Sequence, residues 1–313
     1  MFNKKENDNK VIINYEMIKK TPNFHYIKPL NRKLISNIKF GNEILQFSDI
    51  LLSLKDIDFS FFYFNIDNLK IQNIGGLIQK NARAGYSVRY NYIGYKDYFD
   101  SHEICHELLH LSSSIYDPNN YMEFCGFSQY NYKTDLKIGT ALNEGYTEYL
   151  NEKIFGNLSN TYIIEKNLSS CIETIVGPTL MKRMFFKANL KGLIDILKNY
   201  NSLDETIKFI QSMDYISNSS NDLFSGKKLN NTFYKNMDFI IDYLITTYLN
   251  KLEYDLNINI INKDEYNDNL EKYLDSLGTF DYKFENKNYS INFISNGKIT
   301  RKLKRILKTK KKK

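Results

Sequence analysis

Apolar side chains recur at helical spacing over residues 44–57 (Ile44, Phe47, Ile50, Leu51, Leu54), which predicts a helix, and the mostly apolar run at 59–66 predicts a buried strand after it. The chain thus opens in an α/β manner. Over residues 86–92 the period falls to two: Tyr86, Val88, Tyr90 and Tyr92 share one face and Ser87, Arg89 and Asn91 the other, the pattern of a half-exposed strand. The start of the next helix is written in its capping residues. Asp100 and Glu103 have capping-box spacing, and Phe99 and Ile104 stand where a hydrophobic staple would. This helix should begin near Ser101 and stop by Ser112-Ser113-Ser114, ahead of Asp117-Pro118. Residues 119–139 read as loop or irregular hairpin, and 141–154 as another helix.

From there the helical period dominates. It is carried by Leu190, Leu193, Ile194 and Leu197, then by Ile207, Ile210 and Met213 behind a capping box at Ser202 and Glu205. A long helix is predicted over 231–256, where Phe233, Met237, Ile240, Ile241, Leu244 and Tyr248 recur every three or four residues as core positions. The alternation in SINFIS, with Ile291 and Phe293 on one face, predicts one late strand. No internal repeat is visible, and no Gly/Ser/Pro-rich linker divides the chain.

Composition narrows the class. At 313 residues with 42% apolar content the chain can build one large domain or two smaller ones. No run of 18 apolar residues occurs, so no transmembrane segment is expected, and the opening MFNKKENDNK lacks the apolar stretch of a secretory signal. The expected location is cytoplasmic. The three cysteines, Cys105, Cys125 and Cys171, form no CxxC pair and suggest free thiols rather than a disulfide framework or a cysteine-only zinc site. The net charge of +7 belongs to one place: residues 301–313 hold nine of the 43 Lys/Arg and no acid, which leaves 34 basic against 36 acidic residues elsewhere. The body is therefore not expected to bind nucleic acid. Only the tail RKLKRILKTKKKK could seek phosphates or anionic lipid, and its composition suits a solvated, disordered end.

The chemistry lies in HEICHELLH. Three of the four histidines, His102, His106 and His110, fall at successive i, i+4 spacings on the capped helix. Residues four apart lie one turn apart on one face, so two imidazoles can converge on an ion, with the Glu after the first His beside the open position. Two HExxH frames overlap. The second, His106-Glu107-Leu108-Leu109-His110, is preferred, because Glu103 of the first is already used by the capping box and that frame begins in the opening helical turn. A catalytic zinc needs a third protein ligand. In ALNEGYTEYL, Ala141, Glu144, Gly145 and Glu148 share a helix face, so two small residues permitting close packing are flanked by two carboxylates.

HELLH followed by LNEG and a further Glu resembles the Glu-zincin metallopeptidases, which include thermolysin-like and aminopeptidase N-like enzymes. The resemblance covers residues 86–155, about a quarter of the chain. It implies that Glu144 is the third zinc ligand beside His106 and His110, that Glu107 is the base, and that Glu148 orients a ligating histidine. It implies an α+β, zincin-like fold: a small sheet-containing N-terminal subdomain (1–112) ending in the zinc helix, a mostly helical subdomain (113–300) bringing the third ligand, and the basic tail (301–313). The function implied is hydrolysis of a peptide or protein substrate with Zn2+ as cofactor, water being activated by Glu107. Strand 86–92 sits where such enzymes place the edge strand that pairs with an extended peptide. Two features depart from the pattern. Thirty-three residues separate His110 from Glu144, which makes 113–139 an insertion near the cleft, and no GxMEN segment for gripping a free amino terminus precedes the zinc helix.

Several assignments stay open at this level. Cys125 is an alternative ligand by analogy with peptide deformylases, although their Cys lies upstream of HExxH. Cys105 points about 100° from His106 and reads as a packed thiol. The oxyanion donor could be His102, Tyr146 or a tyrosine of the helical half. A noncatalytic zinc-binding protein, or a nucleic-acid- or membrane-associated protein acting through its tail, are the competing functions.

Overall fold

A computed structural model describes residues 13–74, 83–96, 100–159, 161–224, 229–277, 279–284, 287–292 and 296–310. It is an α+β structure in which small sheets flank a predominantly helical body. After a short 3-10 turn come α1 (Arg32–Ser36), α2 (Gly41–Leu52), α3 (Ser60–Ile66), β1 (Lys70–Asn73), β2 (Ala84–Ser87), β3 (Tyr92–Tyr95) and α4 (Ser101–Ser112). Then follow β4 (Ser114–Asp117), β5 (Met122–Cys125), β6 (Ser128–Asn131), β7 (Leu136–Ile138) and α5 (Thr140–Phe155). The remainder is α6 (Ile163–Val176), α7 (Pro178–Phe186), α8 (Leu190–Leu197), α9 (Leu203–Phe224), α10 (Asn231–Asn257), α11 (Lys263–Ser276), the hairpin β8 (Thr279–Phe284) with β9 (Lys287–Asn292), and α12 (Asn296–Lys310).

Helix α2 forms as its spacing predicts and buries Ile44, Phe47 and Leu51, but it stops at Leu52. Residues 59–66, expected as a strand, are helical. A mostly apolar run does not reveal its period, and here the Asp58 carboxylate accepts the Ser60 N–H at 2.8 Å and starts a turn. The buried Asn65 of this helix donates to the carbonyls of Leu111 and Ser114, both at 2.8 Å, and so ties α3 to the end of α4.

The alternation at 86–92 spans a hairpin rather than one strand. Asn91 turns the chain at φ 49°, a conformation Asn tolerates, while its side chain accepts from the Tyr86 hydroxyl at 2.8 Å and donates to the Asn65 carbonyl at 2.7 Å. The sheet order is β1-β3-β2, with β3 parallel to β1 and antiparallel to β2. Lys96 N–H donates to the Arg83 carbonyl, which sets the phase of the ladder. Gly85 and Ser87 therefore face β3, and Ala84 and Tyr86 turn their N–H and C=O groups to the free edge of β2.

Residues 119–139, expected as loop or irregular hairpin, complete an antiparallel meander, β4-β5-β6-β7. Its β5–β6 turn contains Gly126 at φ 52°, where an added Cβ would stand 2.0 Å from Asn143 Oδ1. That approach seats the hairpin on α5, and Asn143 Oδ1 accepts the Phe127 N–H at 3.2 Å. Buried apolar residues from Ile18 to Ile306 form one contiguous cluster that includes Ile104 and Leu108 of α4 and Ala141 and Leu142 of α5. Residues on both sides of position 112 thus share a core.

In the C-terminal part, α10 matches the predicted long helix. At the start of α9 only half of the expected capping box forms: Ser202 Oγ accepts the Glu205 N–H, whereas the Ser202 N–H goes to Asn201. Of the late strand, Ile291 lies in β9, while Phe293 and Ile294 fall outside the described residues. The basic segment, expected to be disordered, is helical over Asn296–Lys310. Ile299 and Ile306 are buried, and Lys302 and Arg305 pair with Asp242 of α10, Lys310 with Glu253. Its apolar residues recur at helical spacing against a helix of opposite charge, which composition alone conceals. Residues 311–313 lie outside the described set. Among the described residues, no helix is long and apolar enough to cross a membrane.

Candidate metal centre

The capping box of α4 is formed on both sides: Asp100 Oδ1 accepts the Glu103 N–H at 3.0 Å, and Glu103 Oε2 accepts the Asp100 N–H at 3.1 Å. Phe99, the other half of the expected staple, falls outside the described residues. With the start fixed, His106 and His110 stack one turn apart, their ring centroids 4.7 Å from each other. Helix α5 packs across α4 and brings Glu144 to both. Its approach is guarded by Gly145, where a Cβ would meet the Glu165 backbone of α6 at 2.3 Å, so the small-residue face does serve close helix packing.

The result is a triangle. His106 Nε2 lies 3.0 Å from His110 Nε2 and 3.2 Å from Glu144 Oε2, and the third side is 3.3 Å. A tetrahedral zinc with bonds of about 2.0–2.1 Å holds its ligand atoms about 3.3 Å apart. Three lone-pair atoms at this spacing, all largely shielded from water, fit such an ion in both number and size. Each histidine also has a partner behind it. Glu148, fully buried, accepts from His106 Nδ1 at 3.0 Å and from His102 Nε2 at 2.7 Å, so His106 carries its hydrogen on Nδ1 and presents Nε2 to the centre. His102 thus belongs to the support of the site and not to the triangle, as the choice of the second HExxH frame requires.

Cys125 is brought close but on the wrong side to be a ligand. Its sulfur lies 3.5 Å from His110 Nδ1, whereas the triangle is built on Nε2. A tautomer with hydrogen on Nδ1 directs it at the Cys125 sulfur and leaves Nε2 free. Asn143 Nδ2 lies on the same side and in that tautomer donates to the Cys125 sulfur, at 3.8 Å. Cys105 is a packed thiol, pushed up to about 11 by burial.

The electrostatics favour a cation. For Glu144, burial opposes the charge, but His110 and His106 outweigh it and hold the carboxyl well below its usual range. For Glu148, burial is likewise overcome by hydrogen bonds from His102 and His106, which bring it to about 2. Conversely, burial works against a charge on His106, yet its bonds to Glu144 and Glu148 raise it to about 9. The two carboxylates thus draw positive charge between them, a demand that a divalent ion meets while the imidazole Nε2 atoms stay unprotonated. Glu107, 7% exposed, is raised by burial against the pull of His106 and His110, and the Tyr86 N–H of β2 is directed at its carboxylate.

Of the proposed oxyanion donors, Tyr146 is fully buried and donates to Glu173, away from the centre. His102 is engaged by Glu148. Among the tyrosines of the helical half, Tyr162 lies beside the site: its ring is parallel to that of His106, with centroids 6.1 Å apart and 14° between planes. Its hydroxyl is raised far above the usual phenol range, first by Glu144, then by burial and by Glu107. Tyr162 caps α6 at φ 51°, and no local pattern announces it. The partners Asn143 and Asp214, the latter accepting the Gly139 and Ala141 N–H groups at the start of α5, are equally silent in the sequence.

Comparison of the chain with models of protein families, with curated proteins and with solved structures returns no match.

Proposed function

We propose that this chain is a zinc-dependent peptidase with a zincin-like catalytic core, in which His106, His110 and Glu144 hold the metal and Glu107 is the base. The observation that carries this reading is the 3.0–3.3 Å triangle of three shielded donor atoms with a further acidic group, Glu107, one residue from a ligand. A zinc ion there supplies Lewis acidity, polarising a scissile carbonyl and acidifying water. The chain's own residues do the rest. Glu107, kept partly averse to charge by burial, takes a proton from the attacking water and passes it to the leaving amine. Tyr162 keeps its proton under the influence of Glu144 and donates a hydrogen bond to the developing oxyanion. Glu148 holds the His106 ring in the ligating tautomer.

A peptide is the favoured substrate because a free strand edge adjoins the base. Ala84 offers its N–H and C=O, and Tyr86 its C=O, on the side of β2 that no described strand pairs with, while the Tyr86 N–H is taken by Glu107, so an extended chain pairing beside Ala84 passes the base. A zinc-binding protein without catalysis would not need Glu107 in this place. The test couples metal analysis to turnover: purified protein should hold about one zinc per chain, and it should cleave a mixed peptide library read by mass spectrometry. Zinc-loaded protein that leaves every peptide intact sinks the proposal.

A further inference from the structure

Just beyond β2, the turn to β3 carries an exposed arginine in an unusual setting. The Arg89 guanidinium lies over three tyrosine rings, 5.2 Å from the centroid of Tyr132, 5.3 Å from Tyr90 and 5.8 Å from Tyr116. These rings come from two directions, Tyr90 from the turn itself and Tyr116 and Tyr132 from the meander. Their frame is rigid. Tyr132 donates to Glu123 at 2.7 Å and meets Tyr130 and Tyr116 edge to face, with centroids at 4.4 Å and 6.1 Å. The turn is pinned by Asn91 between the Tyr86 hydroxyl and the Asn65 carbonyl.

Ring faces attract the flat of a guanidinium, each contact contributing about 0.5–1 kcal/mol at an exposed site, but they leave its in-plane N–H groups without acceptors. Among the described residues no hydrogen bond or ion pair engages these donors. The acidic groups nearby are committed elsewhere: Glu123 to the Tyr132 hydroxyl, and Glu103, beside the other end of β2, to its capping box and to Arg83 at 3.6 Å. An arginine aimed by its faces and unfilled along its edge is matched by a carboxylate, which a planar fork of donors binds in bidentate fashion. Arg89 also stands in the turn that directly follows β2, the strand whose Tyr86 N–H faces the base.

We infer that Arg89, oriented by Tyr116 and Tyr132, is a specificity subsite for a carboxylate of the substrate, at the turn end of the β2 edge. This deepens the peptidase reading and rests on it. An Asp or Glu side chain and the peptide's terminus both supply such a carboxylate, and the two sources are separable by experiment.

Zinc-loaded protein is given two peptide libraries identical except for a free or amidated C-terminus. Cleaved peptides are expected to be enriched about 10-fold in acid at one fixed position relative to the cut, or in free termini at that position. Arg89→Gln should abolish the enrichment by raising KM with kcat nearly unchanged, while its melting temperature stays with the parent's. Binding supplies the readout that does not need turnover. Glu107→Gln protein should take up a fluorescent acidic peptide pool about 10-fold more tightly than the matching Gln-containing pool, and addition of Arg89→Gln should erase the difference. Cleavage without acidic enrichment, enrichment that survives in Arg89→Gln, or equal binding of the two pools overturns the subsite. Loss of thermal stability in Arg89→Gln with preference unmoved does so as well, since Arg89 would then be only a latch between turn and meander. Absence of any cleavage together with absence of zinc-dependent peptide binding defeats the peptidase reading itself.

Discussion

The two helices that meet at the proposed metal centre are held in place by different means. Helix α4 carries its own instructions: Asp100 and Glu103 cap each other, and both histidines follow within the next two turns. Helix α5 carries almost none. Its N-cap, Gly139, has no side chain to offer, and the N–H groups of Gly139 and Ala141 are met by Asp214 of α9 at 2.8 and 2.9 Å. Its distance from α6 depends on Gly145 lacking a Cβ. The ligands on α4 are therefore set by local sequence, and Glu144 by tertiary contacts far along the chain.

The largest effects should come from the centre itself, where the origin of a ligand ought not to matter. His110→Ala and Glu144→Ala, one from each helix, should both strip zinc, whereas His102→Ala should retain it in metal analysis. Equal loss in His102→Ala and His110→Ala would mean that the metal uses the other frame. Glu107→Gln should keep zinc and lower peptide hydrolysis by about 10²- to 10⁴-fold. Next comes the group on α5 that orients a ligand on α4. Glu148→Gln should weaken zinc binding about 10- to 100-fold in a competition titration with a chelator, and unchanged affinity would remove Glu148 from the support of His106.

Smaller changes probe the contrast directly. Gly145→Ala raises helix propensity yet forces α5 off α6, so urea unfolding should show a net loss of about 1–3 kcal/mol; a gain would mean that the helices part easily. The two caps, Asp100→Ala and Asp214→Ala, should each cost about 0.5–2 kcal/mol. Only the second should also weaken zinc binding, because the local cap frays a helix end that precedes His106 and the remote one shifts the helix that carries Glu144. Identical zinc affinities in the two variants would erase the distinction between the helices.

The finest test is of pH. Asp214 is pushed up to about 6 by burial, against the hydrogen bonds from Ala141 and Gly139. Between pH 4 and 6 the folded state then holds a proton that the unfolded state has released. Stability should fall as pH rises through that window, by about 1–2 kcal/mol. Asp214→Asn, whose amide does not titrate, should flatten this part of the profile in urea melts, and an unchanged slope would place the titration elsewhere.

How much of this could be read beforehand follows the same division. The start of α4 was legible because it depends on neighbours in sequence, and the need for close packing at Gly145 because glycine within a helix marks it, although its partner on α6 was not. Glu144 was legible only through the resemblance of HELLH and LNEG to a known pattern, since its place is decided by how α5 crosses α4. The helix at Ser60–Ile66 and the hairpin in 84–95 were misread where an apolar run hid its period and where a positive-φ asparagine broke an even alternation. Tyr162 was legible only as one of the tyrosines of the helical half, because no local pattern separates it from the others. For α12 the charge count drew attention away from Ile299 and Ile306, which fix the helix to α10.

The meander between His110 and Glu144 has one more consequence, and it concerns chain entropy. An ion joining these two residues closes a ring through the 33 residues between them. For a free chain of that length, closure costs about 3 kcal/mol beyond a constant. Here the connections within β4–β7 are only two to four residues long, and Gly126 seats the hairpin on Asn143, the residue before Glu144. The ladder has already taken up that freedom before any ion arrives. Metal affinity is then spent on the ligands instead of on ordering the polypeptide, and a chelator should yield a folded apoprotein that reloads quickly.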